Sequence, residues 1–156
     1  MSLPGEIIQG ILARTALAIL RVYLGVAFLL SALPKFERDP KPELIGFLQN
    51  ALERARPFYQ EFVQGVMLPN AGAFAALIAW GELIVGVTLI LVLTRFSAAL
   101  ALVLALNSLF ARGAWSPNSY DAACVAISVA LIIGAAGRTW GLDALLAQRR
   151  PRSMFW

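Results

Sequence analysis

Glu82 has the plainest chemical consequence of any residue in this sequence, because it is the single charge in the apolar run 71–93. At about 1.5 Å per residue, such a run is long enough to cross a hydrocarbon core of about 30 Å, which puts the carboxyl near the bilayer midplane. An ionisable side chain at that depth costs roughly 2.5 to 3.5 kcal/mol on insertion scales, so it needs a partner or a task. Arg21 holds the corresponding place in the run 11–33, whose other charge is Arg14. A carboxylate beside a guanidinium can hold and release protons or bind a polar head group. It can also do no more than fix the register of two helices.

Two absences bound that chemistry: the 156 residues include no histidine and one cysteine. The chain has no axial imidazole for haem, no facial triad for iron and no His-ligated copper site, and a lone Cys124 makes neither a CxxC pair nor an iron–sulfur ligand set. An internal disulfide is excluded as well. Cys124 lies in an apolar run and reads as a small buried hydrophobe.

The elements that must position Glu82 and Arg21 follow from composition. With 60% hydrophobic and 14% charged residues and a mean hydropathy of +0.74, the chain is far more apolar than soluble domains, which are about 45–50% apolar and about 25% charged. It reads as one membrane domain over 1–156. The formal charge of +4 draws on a C-terminal cluster, Arg149, Arg150 and Arg152. Anionic lipid head groups are the simplest partner for that charge, and no alternation of basic and aromatic residues points to nucleic acid.

The order of apolar runs predicts transmembrane helices over about 11–33, 71–93, 96–115 and 120–137. The first is expected to stay as a helix, since no basic residue precedes Arg14 and the run is longer than a signal-peptide core. On it, Arg14, Ala18, Arg21, Gly25, Phe28 and Ala32 share a face of polar and small residues that a neighbouring helix can approach. The proline-rich stretch Pro34 to Pro42 is expected to end that helix as a charged loop. Helical spacing of Leu44, Ile45, Leu48, Ala51, Leu52 and Ala55 predicts an amphipathic helix over about 43–55. Pro57 starts a second one, over about 57–68, with the stripe Phe58, Tyr59, Phe62, Val63, Val66 and Met67. Both are expected at the membrane interface. Arg112 is expected to snorkel to the head groups. Asp121 is expected to sit in the first turn of the last span behind an Asn118 cap, and a basic tail to fill 143–156. The expected fold is an all-α integral membrane protein, a four-helix transmembrane bundle with a long amphipathic, helical loop between its first and second spans.

Depth adds a further expectation. Measured from the side of the termini at about 1.5 Å per residue, Arg21 lies at roughly 15 Å, Glu82 and Asn107 at roughly 16 Å and Ser128 at roughly 14 Å. Each span then contributes a polar group to one layer, in which Arg21 neutralises Glu82 while Asn107 and Ser128 satisfy the remaining donors and acceptors. Lysine and arginine counts on the two sides nearly tie, and the C-terminal cluster tips the termini to the cytoplasm.

Several short motifs in order give the chain a resemblance. Arg21-Val22-Tyr23-Leu24-Gly25 is followed by Phe28, Ser31 and Lys35-Phe36, then by Leu68-Pro69-Asn70. Gly81-Glu82-Leu83 comes next with Gly86, Leu89 and Thr94-Arg95-Phe96-Ser97-Ala98-Ala99, and Gly137-Arg138 with Gly141-Leu142-Asp143 closes the series. Over nearly its whole length the chain resembles the DoxX family of small bacterial inner-membrane proteins, relatives of the thiosulfate:quinone oxidoreductase membrane subunits. The resemblance implies a multi-pass protein of the inner membrane and a link to membrane redox chemistry, with quinone as the ligand to expect. On that reading Glu82 carries the proton, Arg21 and Asn107 donate hydrogen bonds to the quinone, and Trp80 or Tyr23 packs on the ring, with Ser128 in the same layer. Electrons then have to arrive from a protein partner or a soluble reductant. The competing expectation is a structural or assembly subunit of a larger complex or a homo-oligomer, in which the ion pair only fixes the fold. A small solute transporter is the third, disfavoured because neither an internal repeat nor a broken helix is evident.

Overall fold

The computed structural model describes residues 4–91, 94–112 and 120–134. Every element within them is helical: α1 (Pro4–Ala32), α2 (Pro34–Glu37), α3 (Pro40–Arg54), α4 (Pro57–Phe62) running into a π-helical turn (Val63–Met67), α5 (Ala71–Leu91), α6 (Thr94–Ala111) and α7 (Tyr120–Gly134). Among the described residues three stretches are long and apolar enough to cross a membrane: Ile8–Glu37, Ala71–Leu91 and Thr94–Ala111. The fourth expected span is an apolar helix of 15 residues over its described part. Residues 92–93, 113–115 and 135–137 of the expected spans, the Asn118 cap and the basic tail lie outside the described residues.

Proline places the starts of the short helices. Pro34, Pro40 and Pro57 each stand in a first turn, where the missing N–H removes no helical hydrogen bond. At α3 the Asp39 carboxylate also accepts from the Lys41 N–H at 3.0 Å, a side-chain cap. The stretch 34–42, expected as a loop, therefore carries the one-turn helix α2 and the start of α3.

The bundle is built from two helix pairs, α1 with α5 and α6 with α7, closed by α5 against α6 and α1 against α7, while α3 lies across α5 and α6. Glycine sets the first pair. A Cβ on Gly86 would sit 2.6 Å from Leu29 Cγ and 2.9 Å from the Leu29 backbone nitrogen, and one on Gly25 would meet the Gly86 carbonyl oxygen at 3.1 Å. Backbone approach of this kind is how small residues drive helix association where lipid removes the hydrophobic incentive. Leu24, Phe28, Val85, Leu89, Ala98, Ala101 and Leu131 fill the space between the long helices. A second apolar cluster, with Leu48, Tyr59, Val63 and Met67, seats α3, α4 and the π turn. Outward-facing Ile19, Leu30, Leu77, Val103 and Ile133 are 61 to 77% exposed. Large aliphatic side chains at that exposure on membrane-length helices are the surface that lipid covers.

Candidate functional site

The α1–α5 contacts fix an axial register that separates the two charges expected to pair. Gly86 lies against Leu29 and Gly25 against Ile90, Arg21 Nη1 donates to Thr94 Oγ1 at 3.3 Å, and Lys35 Nζ reaches Glu82 Oε2 at 2.5 Å. Arg21 is thus level with the start of α6, whereas Glu82 is about 14 Å of helix away from Leu91 at the end of α5. Arg21 and Glu82 do not meet. The physical reason is the length of α1, which begins at Pro4 and not near Ile11. Its N-terminal part runs past the junction of α5 and α6, so equal positions within two apolar runs are not equal depths.

The partner of Glu82 is Lys35. Its ammonium also donates to the Ser31 carbonyl at 2.9 Å and to Ser31 Oγ at 3.0 Å, which uses all three of its protons. The side chains are 20% and 13% exposed, Lys35 and Glu82 respectively. A signal for this pair exists in the sequence, since Ser31 and Lys35 stand one helical turn apart and Pro34 at a first-turn position continues the chain in nearly the same direction.

Beside this pair, the end of α1, α2, α3, α5, α6 and α7 line a half-open cavity of about 290 Å³. Glu82, Lys35, Glu43, Asn107, Arg112 and Asp121 supply most of its polar wall, and Phe28, Phe47, Ile78 and Leu104 part of its apolar one. Glu82 Oε1 accepts no hydrogen bond from the described residues, because the Lys35 contact is made by Oε2. Asn107 Oδ1 is occupied by the Tyr59 hydroxyl, which donates to it at 2.8 Å, leaving the amide's two N–H bonds unused among the described residues. Gly81 packs against Leu104, and Thr88 Oγ1 accepts from Ser97 Oγ at 2.6 Å, so α5 and α6 are antiparallel. In that register Asn107 is offset from Glu82 by about one turn, ~5 Å along the axis.

At the mouth, Arg112 Nε lies 2.6 Å from Asp121 Oδ2, and its guanidinium covers the Phe47 ring at 5.6 Å from the centroid. One side chain thereby ties α6 to α7 and to α3. Gln60 Nε2 donates to the Leu52 and Ala55 carbonyls at 2.9 and 3.0 Å, satisfying the open C-terminal end of α3 and holding α4 against it.

Of the residues singled out in the sequence, Glu82 and Asn107 line the cavity and the other four do not. Arg21 is buried at Thr94. Ser128 is fully buried in α7, one turn beyond the cavity residue Cys124, and its Oγ has no hydrogen-bond partner among the described residues. Trp80 is 57% exposed on the outer face of α5, edge-on to Phe36 at 5.1 Å, and Tyr23 is 56% exposed on α1. Neither ring is therefore placed to stack on a ligand held by Glu82 and Asn107. Sequence reasoning missed Lys35, Tyr59 and the Arg112–Asp121 pair as parts of this end of the bundle.

No curated protein and no solved structure matches this chain. A family model described as DoxX matches residues 16–113, which take in most of α1, the helical insert, α5 and α6. The match contains Lys35, Glu82, Asn107 and the Gly25–Gly86 approach of α1 to α5, and it covers well over half of the sequence: the chain belongs to the DoxX family.

Proposed function

We propose that this protein is a membrane subunit linked to quinone redox chemistry, and that it takes a quinone head group in the cavity between α3, α5, α6 and α7. The observation that carries the reading is the pairing of an open acceptor, Glu82 Oε1, with an open donor, the Asn107 amide, in one small cavity. An ionised Glu82 accepts a hydrogen bond only from a hydroxyl of the reduced, quinol form, whereas the Asn107 N–H can meet a ring oxygen of either form. A volume of about 290 Å³ suits a head group, just below the range of about 300–1,000 Å³ for ligand sites. Quinone, when bound, supplies the capacity to take up electrons together with protons. The chain's own part is to hold one ring oxygen with the Asn107 N–H, to hold or pass a proton at Glu82 Oε1, and to balance the Glu82 charge with Lys35. Phe28, Ile78 and Leu104 keep the surroundings apolar. Electrons come from a protein partner or a soluble reductant.

The membrane is the bacterial inner membrane on this reading, with α7 as a fourth span and the termini in the cytoplasm. The second reading is a structural or assembly subunit. It is favoured by the reach of Lys35, which joins α2, directly behind α1, to the middle of α5 and would fix the fold with no ligand present. Mild-detergent purification with identification of the quinone and protein that accompany the chain separates the two. Bound quinone lost in a Glu82→Gln variant that still folds and keeps its protein partner supports the first. Quinone-free protein whose Glu82→Gln variant loses its partner supports the second.

A further inference from the structure

We propose that Tyr59 is a positioning residue for the cavity: its phenol holds the Asn107 amide in the one rotation that presents N–H bonds to a ligand oxygen. The inference rests on the quinone-binding reading above and assigns a role to the helical insert, which otherwise serves as a connector.

Tyr59 belongs to α4, outside the long apolar helices, yet it is 5% exposed and its hydroxyl lies between two elements. On one side it donates to Asn107 Oδ1 at 2.8 Å, with the Asn107 carbonyl at 3.2 Å; on the other, Met67 Sδ lies at 3.8 Å. A phenol has a single proton, and the shorter, better acceptor takes it. With Oδ1 so engaged, the amide plane is fixed and Nδ2 is turned away from Tyr59, where Asn107 borders the cavity. Left to itself an asparagine side chain can rotate by half a turn and offer its oxygen instead. Such a site would repel a carbonyl ligand.

The surroundings hold Tyr59 in this place. Residues 59, 63 and 67 are all buried, a spacing of four that drifts by about 40° per step on a pure α-helix. The π turn Val63–Met67, closed by the Leu68 N–H on the Val63 carbonyl at 2.9 Å, widens the helix there and keeps Met67 on the Tyr59 side. Phe110 lies 6.2 Å from the Tyr59 ring and Phe62 6.0 Å from it. Burial also pushes the phenol up to about 12, so it remains a donor over the working pH range.

The test is a cycle of purified full-length variants in detergent: wild type, Tyr59→Phe, Asn107→Leu and the double variant. Each is titrated with decylubiquinone and, as a control without ring oxygens, decylbenzene. Tyr59→Phe keeps the ring packing and should weaken decylubiquinone binding about five- to tenfold, the worth of one hydrogen bond. In the Asn107→Leu background the same change should do nothing, and decylbenzene should not discriminate among the variants. Equal loss in both backgrounds, or unchanged binding in Tyr59→Phe, overturns the proposal. A wild type that fails to bind decylubiquinone overturns the quinone reading on its own. In that event the nitrogen-labelled Asn107 side-chain resonances still decide whether Tyr59 orients the amide: a shift in Tyr59→Phe upholds the positioning, and no shift overturns it.

Discussion

Lys35 and Glu82 join α2, directly behind the first long helix, to the middle of α5, with 2.5 Å between Nζ and Oε2. The contact lies on the same α1–α5 seam as the Gly86–Leu29 approach, so charge and shape specify one register twice. Ion pairs are poor sources of net stability but effective against alternatives, since every other register leaves a carboxylate in apolar surroundings.

Glu82→Gln and Lys35→Met should each destabilise the protein by about 2 kcal/mol, between the ~0.5 kcal/mol of an exposed pair and the 3–5 kcal/mol of a fully buried one. The exchanged pair Lys35→Glu with Glu82→Lys should recover part of the loss. Thermal unfolding in detergent measures all four proteins. Simple additivity of the two single losses, with no recovery on exchange, would mean that the two side chains act independently.

Gly86→Leu should separate α1 from α5, because the obstruction is the Leu29 backbone and not only the end of a flexible side chain. Overpacking of this kind costs about 1–3 kcal/mol or more. Gly46→Ala in α3 is the matched control: a Cβ there meets nothing within 4 Å. It should stabilise by up to about 1 kcal/mol through helix propensity. Melting temperatures of the two variants are expected to move in opposite directions.

Much of the architecture is legible in the sequence because a bilayer leaves few choices. Apolar runs of sufficient length at 71 and 96 must satisfy their backbone internally, and both are helices long and apolar enough to cross a membrane. The position of Arg21 shows where legibility stops. Hydropathy gives the length of a span and leaves its axial offset open; helical spacing marks the Gly25 face as one a neighbour can approach, but that Gly86 of α5 meets it, which sets the offset of α1, is not written in the spacing. Lys35 was hidden behind Pro34, a residue that stops a helix when it falls inside one and starts a helix when it falls at the first turn. For Tyr59 the apolar stripe correctly foretells burial, but only the fold brings its hydroxyl to Asn107.

Tyr59 also gives a prediction in alkaline solution. Its pKa is raised from 10.0 to about 12 by burial, so between those values the unfolded chain has lost the phenolic proton and the folded one keeps it. The unfolded state then binds fewer protons, and stability falls as pH rises. The contribution is fully present below pH 10 and is lost as the pH passes through about 12. Tyrosinate absorbance in the wild type should show a late step that is smaller by one tyrosine in Tyr59→Phe. A wild-type titration complete near pH 10 would place the phenol in water.

The Arg112–Asp121 pair should respond asymmetrically to the loss of its two members. Asp121 has a side chain only 10% exposed, whereas that of Arg112 is 60% exposed. Arg112→Ala strands a desolvated carboxylate and uncovers the Phe47 ring, so it should cost about 2–3 kcal/mol. Asp121→Asn leaves an arginine free to turn toward water and a side chain of the same shape, and should cost below about 1 kcal/mol. In the double variant no buried charge remains, so the combined loss should be smaller than that of Arg112→Ala alone. Unfolding of the three variants in detergent tests the order. If Asp121→Asn proves the more damaging, the carboxylate holds α7 through contacts other than Arg112, and the anchoring of α7 to α6 and α3 has to be assigned to those contacts instead.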